Sequence, residues 1–239
     1  MDDLYEEKIA GRYEERLKNI KQAPEEVLKH DYIISRLTNV YINMGRYNES
    51  LNLLREHTFY PWEISEYLKE LYVEAHIGKG IELLKNGKIM EVIRYFSDSM
   101  KYPKNLGIGK PSKNEDSRTL YWIGIAYKKL GLEEKSRDCW ERGAREKHST
   151  DLVIRHFSAM CLKELGRQEE ARELLERIKE YSEKTLKTET NPNKIAAAHY
   201  LNGLALKGLG ENKKATMEFK EVLKFLPNHK GARRELRLL

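Results

Sequence analysis

The chain has 239 residues, 34% charged, 40% hydrophobic and 9% aromatic, the profile of long amphipathic helices around a shared core. No apolar run approaches the about 18 residues that span a bilayer, and the acidic start "MDDLYEEKIAGRYEERLK" lacks the basic-then-apolar order of a secretory signal, so a cytoplasmic chain with no membrane partner is expected. The net charge of +6 is uneven, with 19 Lys and Arg against 20 Asp and Glu in residues 1–120 and 25 against 18 in residues 121–239, but the basic half has no aromatic interleaving and nucleic acid is a poor fit.

In chain order, "LYEEKIAGRYEERLKNIK" reads as a helix, and "APEEVLKHDYIISRL" restarts one at Pro24 that is expected to run into the next element. Residues 1–29 are assigned as capping helices and 30–239 as a repeat array. Five segments, near 31–61, 73–103, 117–148, 152–181 and 196–227, align on Gly45, Gly87, Gly131, Gly166 and Gly210. Each glycine follows an amphipathic helix and precedes a second, and is expected to end the first in a left-handed conformation.

Five residues beyond each glycine stands a small or aliphatic residue, Ser50, Val92, Ser136, Ala171 and Ala215; four further on stands a bulky one, Leu54, Phe96, Trp140, Leu175 and Phe219. Small residues let two helices approach and bulky ones fill the space beyond, so the spacing specifies a helical hairpin. A basic helix over 228–239 closes the chain.

The glycines are 42, 44, 35 and 44 residues apart, so three junctions carry extra residues. "PWEISEYLKELYVEAHIGKGIELLKNG" is expected to lengthen a helix, and "KTLKTETNPNK" reads as a loop after a prolonged second helix. "YPKNLGIGKPSKNED", Tyr102 to Asp116, has the look of a phosphate loop. It has Lys104 where the first glycine of such a loop belongs, Pro111 between Lys110 and Ser112, and a helix before it, so it reads as a connector.

The hairpin pattern resembles the tetratricopeptide repeat, a unit of ~34 residues. Gly124, Tyr127, Gly131, Ser136 and Trp140 in the third segment, and Gly203, Gly210, Ala215, Phe219 and Pro227 in the fifth, stand where that family's pattern asks for them. Thr38 and Ala159 replace the packing glycine in the first and fourth. The resemblance implies an all-α, right-handed solenoid of about five degenerate hairpins, with an N-terminal cap and two or three insertions.

The strings "FYPWE", "YPKNLGIGKP", "YWIGIAYKKLG" and "LPNHKGA", in that order and spacing, resemble a narrower group. It is the C-terminal tetratricopeptide region of large bacterial proteins whose β-rich N-terminal half is of unknown function and is associated with carbohydrate activity. This likeness implies an accessory helical module whose β-rich partner lies elsewhere, and a domain-docking role for Trp62 and Glu63. The usual histidine and glycines around that tryptophan are here Tyr60, Ile64 and Ser65.

Catalytic and metal chemistry find little support in the residues. Cys139 and Cys161 lack ligand spacing and read as buried thiols, no two histidines are paired as metal ligands, and no nucleophile elbow is present, so no catalytic residue, cofactor or metal is assigned. What remains is the face of the first helices. One residue's rotation from the packed positions lie Asn39 in the first segment, then Tyr121 with Lys128, His156 with Lys163, and Tyr200 with Lys207, a ring and a lysine repeated in register. Such a stripe suits an extended peptide or protein partner with acidic residues, the charge orienting it and the rings adding contact area; ordinary solvated lysines are the competing reading. A non-enzymatic interaction scaffold is the expected function.

Overall fold

The computed structural model describes residues 12–60, 65–111 and 115–239. Among them are thirteen α-helices, one 3-10 turn and no strand. They fall into two compact units, Met1–Asn114 and Glu115–Leu239, divided inside the segment that the sequence marks as an insertion. No helix among the described residues is long and apolar enough to cross a membrane.

The first unit contains α1 (Tyr13–Lys21), α2 (Glu25–Leu28), α3 (Asp31–Met44), α4 (Tyr47–Glu56), α5 (Ser65–Lys85) and α6 (Ile89–Ser99). Helix α1 packs Tyr13 and Leu17 against Leu37, Val40 and Tyr41 of α3. The restart at Pro24 does not run on as expected. It makes the single turn α2, and His30 turns extended, with ψ 134°, before α3 begins.

The second unit contains α7 (Ser117–Lys129), α8 (Glu133–Ala144), α9 (Leu152–Glu164), α10 (Gln168–Thr188), α11 (Pro192–Gly208), α12 (Asn212–Phe225) and α13 (Lys230–Leu238). The prolonged helix is α10, which takes in the first half of "KTLKTETNPNK". The loop proper is short, because Asn191 accepts from the N–H groups of Asn193 and Lys194 and starts α11 with Pro192 in its first turn.

Five hairpins recur, α3–α4, α5–α6, α7–α8, α9–α10 and α11–α12. All five aligned glycines are left-handed, with φ between 69° and 88°. The residue after each donates its N–H to a carbonyl five positions back, as in Arg46 to Tyr41 (2.8 Å) and Glu211 to Leu206 (2.8 Å). The small residues five places on are all fully buried, and the bulky ones nearly so. A Cβ on Gly203 would stand 2.6 Å from the Phe219 ring; one on Gly124 would collide with the Trp140 indole, and one on Gly80 with the Phe96 ring. The hairpins therefore close by ring-on-backbone contact where glycine is present, whereas Ala159 shares a cluster with the smaller Leu175.

The stretch from Tyr102 packs against its own unit. Asn105 Nδ2 donates to the carbonyls of Leu54 and His57, both at 2.8 Å, and the Asn105 carbonyl accepts from the Phe59 N–H at 2.7 Å. Leu106 is buried among Leu54, Phe59, Leu68 and Tyr72. Lys69 of α5 donates to the carbonyls of Ser99 and Lys101 and lies 3.9 Å over the Tyr102 ring. The insertion is thus a strap whose asparagine satisfies orphan carbonyls at the end of α4.

Two outcomes follow for stability. Gly124→Ala is expected to cost about 1–3 kcal/mol from overpacking against Trp140, whereas Gly131→Ala, with open space but left-handed backbone, costs about 1 kcal/mol from strain alone. Urea denaturation of both variants measures the difference. Asn105→Ala is expected to cost about 1–3 kcal/mol by leaving helix-end carbonyls unpaired, seen as earlier proteolytic nicking near Phe59 while fragments of the second unit persist.

Candidate partner-binding groove

In the second unit the first helices α7, α9 and α11 lie side by side, and their three lysines form a ladder. Lys128 Nζ is 2.9 Å from Glu164 Oε2 on α9 and sits 5.5 Å over the Trp140 ring. Lys163 Nζ donates at 2.6 Å to the Gly208 carbonyl at the end of α11, a helix terminus that favours a cation. Lys207 Nζ reaches Glu235 Oε2 on α13 at 2.6 Å. Each lysine therefore points to the next element in the stack. Lys128 is the most open, with 52% of its side chain exposed.

The rings expected to line an open surface are largely covered. His156 is 4% exposed and Tyr200 8%, while Tyr121 packs against the cluster of Trp140, Cys161 and Leu162. The cover on Tyr200 is α13. Gly231 approaches its hydroxyl closely, the His229 ring lies 4.5 Å away, and Arg234 Nη2 donates to the hydroxyl at 3.3 Å. In the first unit Asn39 is also buried, and its Oδ1 accepts from Asn43 Nδ2 at 3.2 Å on the same helix. The open stripe is corrected to a mostly filled one, because tertiary contacts occupy positions that helical rotation alone leaves free. Trp62 and Glu63 lie outside the described residues.

What fills it is a buried ion cluster. Glu235, 4% exposed, holds Lys207 on Oε2 and Arg234 on Oε1. Burial opposes its charge, but Arg234, Lys207 and His156 together keep its carboxyl below the usual range. Burial pushes His156 down to about 4, against the pull of Glu235 and with help from Lys207, Lys163 and Arg234. Its Nδ1 has no hydrogen-bond partner among the described residues. Burial also pushes the Tyr121 hydroxyl up, with Glu164, Cys161 and Glu235 adding to the shift. One carboxylate thus acts on Tyr121, His156 and Lys207. The sequence reading missed Arg234 and Glu235, although Glu235 is the lone acid in the basic stretch 228–239 and was visible as such.

The remaining reactive groups form no centre. Cys139 and Cys161 are free and buried, and burial raises both thiols, away from the reactive thiolate. Among the described residues no three metal-ligating side chains come together.

A neutral buried histidine makes the unit sensitive to acid. Its folded pKa is lowered, so the contribution is whole above the ordinary 6.5 and is lost as pH falls toward 4. Glu235, also lowered, adds a loss below 4.5. Stability of the second unit is expected to fall by up to about 1.4 kcal/mol per pH unit between 6.5 and 4. In His156→Phe that part of the slope disappears, as urea midpoints taken across the range would show.

The tetratricopeptide-repeat family matches residues 158–183, the turn and both helical arms of the α9–α10 hairpin. Three solved structures align over most of the chain. YrrB, described as a tetratricopeptide-repeat protein with an unusual peptide-binding site, is 18% identical over 96% of this chain and 100% of its own, with a TM-score of 0.32. MamA of AMB-1 is 15% identical over 84% and 92%, at 0.31. A Podosopora anserina putative kinesin light chain with nearly identical repeats is 16% identical over 80% and 92%, at 0.34. Superposition this loose transfers nothing residue by residue. Part of the α9–α10 hairpin thus matches the tetratricopeptide repeat, and the other described hairpins share its left-handed glycine and its buried small-and-bulky pair.

Proposed function

We propose that the chain is a non-enzymatic interaction module in which the first-helix face of the second unit receives a carboxylate-bearing segment of a protein or peptide partner. The observation that carries this reading is Glu235. A carboxylate pairs with Lys207 and its charge acts on Tyr121 and His156, side chains whose register in the sequence suits an acidic segment, and it is supplied by the chain's own α13. Lys128, at the open end, is the residue a partner meets first, and its exposed pair with Glu164 is weak enough to exchange. Displacement of α13 would then free Lys207, Tyr200 and His156 for the incoming acid. The accessory role beside a carbohydrate-active β-rich partner draws no support from the described residues.

A random peptide library panned on the full chain tests the proposal. Enriched sequences should carry Asp or Glu beside apolar residues, the triple change of Lys128, Lys163 and Lys207 to Ala should abolish enrichment, and Glu235→Gln should increase it by loosening α13. Enrichment indifferent to both changes would overturn the groove reading.

A further inference from the structure

The first unit holds a second concavity, a half-open cleft of about 590 Å³, on the side of the second helices α4 and α6 with α5 as its floor. That volume lies within the range of ligand sites, of the order of 300–1,000 Å³. The strap after α6 walls one end through Pro103 and Asn105. Because Asn105 is bound to the carbonyls of Leu54 and His57, that wall is fixed.

Three rings face one another across the floor. Tyr72 and His76 are 4.2 Å apart by centroid, and His76 and Tyr95 6.1 Å. His76 Nδ1 donates to the Tyr72 carbonyl at 2.8 Å, which leaves Nε2 as the acceptor of a ring that burial holds neutral. The rim is cationic, with Arg55, Arg94 and Lys101 against the single carboxylate of Asp98. Asp98 is already held by Lys101 at 2.5 Å, and Arg55 by Asn52 and Glu56. Arg94 lies over the Tyr95 ring and has no carboxylate partner among the described residues. On the opposite wall Asn48 and Asn52 stand one helical turn apart, and Asn48 has no partner among the described residues.

We infer that this cleft is a binding site for an acidic peptide segment with an adjoining aromatic residue. Arg94 takes the carboxylate in a forked pair, and the partly exposed Tyr95 ring receives the aromatic side chain, with Tyr72 and His76 as the buried floor beneath it. The Asn48 amide offers one donor group and one acceptor, the complement of a peptide bond. That last feature favours a peptide over inorganic phosphate, which presents acceptors only. The site is in the other unit from the lysine ladder and does not depend on it.

The test is isothermal titration of the full chain with acetyl-Ser-Glu-Phe-Ser-amide. Gln-for-Glu and Ala-for-Phe versions, inorganic phosphate and a mononucleotide serve as comparison ligands. The acidic aromatic peptide is expected to bind, the Gln and Ala versions at least tenfold more weakly. Arg94→Gln and Asn48→Ala, both at exposed positions and so expected to fold, should each weaken binding at least fivefold. The triple lysine change in the second unit should leave it unaltered. No binding by the unchanged protein, binding indifferent to Arg94→Gln, or phosphate or nucleotide binding in place of the peptide would each overturn the inference. Binding lost only with the triple lysine change would assign the peptide to the groove and leave the cleft without a role.

Discussion

Each hairpin depends on how closely a bulky side chain of its second helix can approach the backbone of its first. At Gly80, Gly124 and Gly203 the approach is so close that a single methyl group would meet an aromatic ring, and the fully buried Ser, Val or Ala before that ring keeps the helices near enough to need it. The left-handed glycine at the turn sets where the second helix begins. The turn glycine sets the register of every hairpin, and the ring-on-backbone contact reinforces it in three of them. Register in turn decides which residues of the first helix face the neighbour and which face outward.

From that register follows the ladder of Lys128, Lys163 and Lys207. An outward lysine near the end of one first helix lies within reach of the end of the next, where Glu164, the Gly208 carbonyl or Glu235 waits. Long stems lie along apolar surface while the ammonium group finds an acceptor, so the same side chains contribute packing and charge pairing. In the innermost pair the carboxylate is buried, and its value lies in holding α13 in one place more than in net stability. Two faces of the molecule thus have opposite characters, a filled one on the first helices of the second unit and an open one on the second helices of the first unit.

The hairpins were legible because they rest on local chemistry: a glycine with positive φ and a small-then-bulky pair at fixed distance leave a mark in any single sequence. The break between α2 and α3 was not, since nothing in "EEVLKHD" forbids a continuous helix, yet His30 is extended. The insertion reads in the sequence as a connector, but its attachment rests on Asn105 meeting carbonyls about fifty residues away, and those partners have no sequence signature. Tyr121, His156 and Tyr200 were found as a set by rotation around their helices. Their burial was hidden, because it depends on α13 folding back to present Arg234 and Glu235.

The direction of the lysine ladder has a consequence for how this chain can be cut. Every rung is anchored two helices further along the chain, so the hairpins are not interchangeable bricks. Ending the chain after α12 would strip Lys207 of Glu235 and uncover Tyr200, and ending it after α10 would also strip Lys163 of the Gly208 carbonyl. Loss from the C-terminal end therefore exposes one unpaired ammonium group after another, whereas a cut ahead of Ser117 severs no rung.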